Sequence, residues 1–202
     1  MFLFNMSIFY KKILFFFLLF FNINLIYSQS SFYIGLGHLS TFAQTILNSN
    51  NNQSHHRVNN LSNFSLHYGN ITSIKKIYNI TSEIFYLNNN IILGINDNNI
   101  FELHQNIGFT LKPGFSFKRH NFSISAGMFA VYIFDKDVVL GYQLDRFDDS
   151  LFYGFDYRYN MSKDFIFGLS LMKTNFESIS HYTNYTLKSF SVLNLTLNYL
   201  ID

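Results

Sequence analysis

The chain has 202 residues, of which 49% are hydrophobic, 20% aromatic and only 13% charged. Globular chains carry about a quarter charged residues, so this balance excludes an acidic solvating tail and a nucleic-acid binder built on basic stripes. The absence of Cys excludes a disulfide framework, a Cys-ligated metal centre, a Cys nucleophile and an N-terminal lipidated Cys.

The first thirty residues read as a targeting segment. Lys11 and Lys12 are followed by an uninterrupted apolar run from Ile13 to Phe21, and Ser28-Gln29-Ser30 supplies small residues for a cut. A charged start, a short apolar core and a small-residue site describe a secretory signal peptide, expected over 1–30 with cleavage after Ser28. The apolar run is too short for the ~20 residues of a spanning helix. Removing Lys11 and Lys12 from the 14 basic residues leaves them balanced against 12 acidic ones. Nothing electrostatic then argues for nucleic acid.

From residue 31 onward, apolar and polar residues alternate with a period of two, the signature of half-buried strands. Three weaker strands are expected near Phe32 to Thr41, Leu61 to Asn70 and Ile77 to Leu87. The clearest runs from Phe101 to Lys118. Its odd positions include Phe101, Leu103, Ile107, Phe109, Leu111 and Phe115, and its even positions Glu102, His104, Asn106, Thr110 and Lys112. Phe122 to Phe134 alternates at first and then blurs. In Leu151 to Asn160, the residues Leu151, Tyr153, Phe155, Tyr157 and Tyr159 oppose Gly154, Asp156, Arg158 and Asn160, with Phe152 on the polar side. Phe165 to Thr174 and a last strand through Leu193, Leu195, Leu197 and Tyr199 repeat the pattern.

That makes eight strands, and their connections alternate in length. Long ones fall near 43–60, 89–99, 137–148 and 177–185, and short ones near 71–75, 119–121 and 161–164. An even strand number puts all long connections on one rim and all short turns on the other. The expected fold is an all-β, eight-stranded antiparallel up-and-down transmembrane β-barrel over 31–202, preceded by the signal peptide. The apolar face must point outward. A barrel of this size has room inside only for side chains, and the bulky Phe, Leu, Ile and Tyr of the apolar face would overpack it. The polar face carries Glu83, Glu102, Lys112, Asp156, Arg158 and Lys188, which are expected to pair as a charge network in the lumen. Tyr132, Tyr157, Tyr159 and Tyr199 lie near strand ends, where interfacial aromatic girdles are expected.

Three stretches carry a family resemblance: Phe32-Tyr33-Ile34-Gly35-Leu36-Gly37; Gly108 to Gly114 followed by Phe122 to Gly127; and Tyr153 to Tyr159 with its Asn-Met-Ser-Lys-Asp turn. In this order the chain resembles the small outer-membrane barrels of the OmpA, OmpX and opacity-protein type. The resemblance implies insertion into the outer membrane of a Gram-negative bacterium by the barrel-assembly machinery. It also implies contact with outer-membrane lipids and lipopolysaccharide, and a surface ligand met through the long loops. Two departures stand out. The family usually ends on an aromatic residue and this chain ends Tyr199-Leu200-Ile201-Asp202, and no peptidoglycan-binding domain is expected after the barrel.

The function expected from this reading is non-enzymatic: a membrane anchor that displays surface loops, with no cofactor and no metal. Three alternatives compete with it: a narrow channel through the lumen charges, a lipid A-modifying enzyme of the outer leaflet, and a soluble carrier with an apolar pocket. His38 and Ser40 share a face at the end of the first strand, which would suit a base and its hydroxyl. His55-His56 and the Asp145, Arg146, Asp148, Asp149 cluster lack metal-ligand spacing and read as solvated loop.

Overall fold

The computed structural model describes residues 30–47, 52–58, 63–74, 77–95, 98–136, 143–174, 178–179 and 185–201. The expected signal peptide lies outside the described residues, apart from Ser30. Ten strands form: β1 (Ser30–Leu47), β2 (Asn52–Val58), β3 (Phe64–Ile74), β4 (Tyr78–Ile95), β5 (Asn98–Phe117), β6 (His120–Lys136), β7 (Gln143–Asn160), β8 (Phe165–Thr174), β9 (Ser178–Ile179) and β10 (Tyr185–Ile201). All but β2 and β9 follow one another around a wall, and β1 pairs with β10 to close it. Closure removes the unpaired edges that an open sheet would present. The expected eight-stranded antiparallel barrel is therefore the fold.

The pairings Phe32↔Ile201, Ile74↔Tyr78, Phe117↔His120 and Asn160↔Ile166 all fall at one rim. That rim holds the short turns. In the two-residue turn at Lys118-Arg119, Lys118 takes a φ of 55°, a left-handed conformation uncommon for a side-chain-bearing residue. In the β7–β8 turn, Ser162 Oγ accepts from the Asp164 and Phe165 amides, both at 3.1 Å. The hydroxyl thereby satisfies two backbone donors.

The other rim corrects the expected long loops. The gap expected near 89–99 is mostly strand: β4 and β5 stay paired out to Ile95↔Asn98. The gap expected near 43–60 contains β2, which takes over as partner of β1 from Thr41 to Leu47. β7 begins at Gln143, and β9 pairs with β10 at Thr186 and Leu187. Asn-rich segments hide the alternation without breaking the ladder. Each added antiparallel pair still satisfies backbone N–H and C=O groups whatever side chains it carries.

Inside and outside sort as the alternation requires. Leu36 and Leu151 on the outer face are 66% and 68% exposed, whereas Asn194 and Asn106 on the inner face are wholly buried. Rings gather on the outer face near the short turns: Phe115–Phe122 at 5.4 Å, Phe122–Tyr157 at 5.2 Å, His120–Tyr159 at 5.2 Å and Phe165–Tyr199 at 5.4 Å between centroids. This is the arrangement that forms the aromatic girdles of outer-membrane barrels. Pro113 sits within this wall. The β5–β6 ladder passes from Leu111↔Ala126 to Gly114↔Ser123 without it, because proline has no N–H to donate, but it stays in register with Ile80 of β4.

Candidate functional site in the barrel lumen

The inner face carries two layers. In the half nearer the short turns, charged and polar groups meet across the lumen. Lys112 of β5 donates to Glu83 Oε1 of β4 at 2.9 Å and to Asp156 Oδ1 of β7 at 2.8 Å. It reaches β7 because at this level the inner face of the intervening strand, β6, carries the small residues Ser123, Ser125 and Gly127. Tyr33 of β1 donates its hydroxyl to Glu83 Oε2. Its arm crosses β3 over Gly69, where a Cβ would stand 2.6 Å from the Tyr33 hydroxyl. Long side chains thus span small ones, and the pattern of small residues decides which charges meet.

His67 extends the network. Its Nδ1 lies 3.1 Å from Glu83 Oε1 but off hydrogen-bond alignment. Its Nε2 lies 2.8 Å from Ser65 Oγ and 2.9 Å from Asn194 Nδ2, and Ser65 donates to Asn194 Oδ1 at 3.0 Å. Arg158 points the same way as Asp156 but serves a second branch. It donates to Thr81 Oγ1 at 2.5 Å and Asn79 Oδ1 at 3.5 Å, and Asn79 passes the chain to Ser116 at 2.9 Å. Glu83, Lys112, Asp156 and Arg158 are each at most 7% exposed. Lys112 is ion-paired with both carboxylates, which offsets the several kcal/mol an uncompensated buried charge would cost, whereas Arg158 is held by neutral oxygens and its Nε and Nη1 find no hydrogen-bond partner among the described residues.

Toward the long connections an aromatic and aliphatic layer follows, with Asn106, His104 and the hydrogen-bonded pair Thr41–Asn89 (3.0 Å) buried beyond it. Phe85 and Phe152 pack edge to face at 5.5 Å, and Phe129 lies 5.8 Å from Phe152. Leu39, Leu87, Val131 and Val192 are buried with them. Gly127 makes room here, since a Cβ on it would stand 2.7 Å from the Phe152 ring. A desolvated ring of this kind is a barrier to ions.

Of the six lumen charges expected from the sequence, Glu83, Lys112 and Asp156 form one cluster and Arg158 lies beside it on its own branch. The side chains of Glu102 and Lys188 lie outside the described residues. Sequence reading missed Tyr33, His67, Thr81 and Asn194 as partners. Their signal was present: Tyr33 shares its face with Gly35 and Gly37, and a large polar ring among glycines points inward from the wall. His38 and Ser40 take the outer face and both are half-buried, but they stand midway along β1 and not at its expected end, because the strand continues to Leu47. The side chains of His55, His56, Asp145, Arg146 and Asp148 lie outside the described residues, while Asp149 is exposed. Among the described residues, no group of three or more His, Asp or Glu side chains is placed to hold a metal ion.

Comparisons fit this geometry at the level of fold. No family model and no curated protein matches the chain. Solved structures do. The attachment invasion locus protein Ail of Yersinia pestis, solved with the heparin analogue sucrose octasulfate, superposes with a TM-score of 0.52 at 13% identity. The match covers 86% of this chain and 99% of that one. Neisserial surface protein A gives a TM-score of 0.52 at 10% identity, again over 86% of this chain and 99% of the other. The chain has the fold of the small outer-membrane β-barrels. At these identities the likeness is one of architecture.

Proposed function

We propose that this chain is an outer-membrane barrel whose work is structural: it anchors in the membrane and holds its long connections at the cell surface. The observation that carries this reading is the lumen. Lys112 ties Glu83 to Asp156 across it and Phe85, Phe129 and Phe152 pack against one another, so the interior braces the wall. The apolar outer face supports a lipid environment, and the short-turn rim is assigned to the periplasm. On this reading residues 1–28 direct export and are removed, the barrel-assembly machinery inserts the rest, and lipopolysaccharide and surface ligands meet the opposite rim. Glu83, Lys112, Asp156 and Arg158, with Glu102 and Lys188, serve as bracing charges. No reaction is assigned to His38 and Ser40.

Membrane fractionation followed by gel migration with and without boiling tests the proposal. A folded barrel stays with the outer membrane and migrates faster unboiled. Recovery in the soluble fraction with no mobility shift would overturn it and favour the soluble-carrier reading.

A further inference from the structure

The short-turn rim is one continuous surface. Three backbone hydrogen bonds lace its turns together: Ser116 N to Ile77 O at 2.6 Å, Asn160 N to Arg119 O at 2.9 Å and Leu200 N to Asp164 O at 2.8 Å. The turn ending at Ile77, the Lys118-Arg119 turn and the Met161–Asp164 turn are therefore neighbours. Lys118, Arg119 and Lys163 stand exposed on them, and in sequence Lys75 and Lys76 immediately precede Ile77. None of the ion pairs among the described residues involves Lys118, Arg119 or Lys163. The counter-charges nearby in sequence are Asp164 and Asp202. Counted in sequence, the residues at and beside the short turns, Lys75, Lys76, Lys118, Arg119 and Lys163 against Asp164 and Asp202, carry a net positive charge.

The cations also sit at a particular depth. His120, whose ring contacts Tyr157 and Tyr159, directly follows Arg119. Lys118 Nζ lies 5.5 Å from the Phe117 ring. Aromatic girdles mark the border between hydrocarbon and headgroups. Ammonium and guanidinium groups one or two residues beyond that border reach the level of lipid phosphates, not open solvent.

We propose that this rim is a docking surface for anionic phospholipid headgroups of the inner leaflet, with Lys118, Arg119 and Lys163 as its contacts. The proposal rests on the membrane-barrel reading above. Charge complementarity and depth together select this occupant. A cation near an anionic lipid surface raises binding several-fold, and the effect is screened by salt.

The test uses the folded barrel in zwitterionic micelles, titrated with short-chain phosphatidylglycerol or phosphatidylcholine and followed by amide chemical shifts. Phosphatidylglycerol should move the amides of the three turns and bind about tenfold more tightly than phosphatidylcholine. Raising salt from about 20 mM to about 500 mM should remove the preference. The Lys118→Asn, Arg119→Gln, Lys163→Gln variant should lose it too, and Asn keeps the left-handed turn position accessible. Equal binding of the two lipids, a preference that survives salt and substitution, or shifts centred elsewhere would overturn the proposal. Inorganic phosphate producing the same shifts at the same concentration would overturn the lipid assignment in favour of a free-anion site. Migration of unboiled samples is read in parallel: a chain that does not fold in micelles fails the barrel reading, whereas a folded barrel without lipid preference fails this inference alone.

Discussion

Replacing Lys112 with Met removes the cation at the centre of the lumen and keeps most of its length. The ammonium lies 2.9 Å from Glu83 and 2.8 Å from Asp156, so the substitution strips two buried carboxylates of their shared partner at once. Removing one member of a buried pair costs about 3–5 kcal/mol. Glu83 keeps the Tyr33 hydroxyl as a donor, but Asp156 Oδ2 already has no protein partner. We therefore expect a loss near the top of that range, about 4–5 kcal/mol. With a urea slope of about 1–3 kcal/mol per molar, the unfolding midpoint should fall by about 2 M. The assay is urea unfolding of the folded barrel in micelles, scored by the unboiled gel band and by circular dichroism. Adding Glu83→Gln and Asp156→Asn to the same chain should recover most of the loss, because neutral amides replace the stranded charges while keeping donors and acceptors. A Lys112→Met midpoint within experimental error of the parent would refute the reasoning. It would mean that the lumen charges are hydrated and act independently.

Three further outcomes follow from the same geometry. The parent barrel should give no resolved current steps in a planar bilayer, whereas Phe85→Ala, Phe129→Ala and Phe152→Ala combined should produce them; a silent triple variant that still folds would show that the aromatic layer is not the seal. Phe152→Ala alone should cost about 3–5 kcal/mol in the urea assay through the cavity it leaves, and a smaller loss would indicate that the lumen collapses around it. Gly69→Leu should displace the Tyr33 ring and cost about 1–3 kcal/mol by overpacking, while Gly69→Ala should cost less; equal costs for the two would separate the effect from ring crowding.

The faces of the strands were legible because a closed barrel wall imposes an unbroken period of two. Phe152 shows the resolution of that signal. It stands among outward Leu151 and Tyr153, yet its parity assigns it to the lumen, and there it packs. The charges Glu83, Lys112 and Asp156 were legible for the same reason. Their pairing was not, since it depends on which intervening strands carry small residues, a property of neighbours distant in sequence. Tyr33 reaches Glu83 across Gly69, fifty positions along the chain. The strand extensions beyond residues 89 and 143 were not legible either. There Asn and Asp replace the apolar partners, so the periodicity fades while backbone pairing continues.

The central claim is that the apolar face of the wall meets lipid and the polar face fills the lumen. The chain has no Cys, so single cysteines can be placed along β10 from Asn194 to Tyr199 without background. Each would carry an environment-sensitive fluorophore, with the barrel folded into vesicles containing brominated lipid. The account predicts strong quenching at Leu195, Leu197 and Tyr199, and little at Asn194, Thr196 and Asn198. The reverse alternation, or quenching with no alternation, would contradict it.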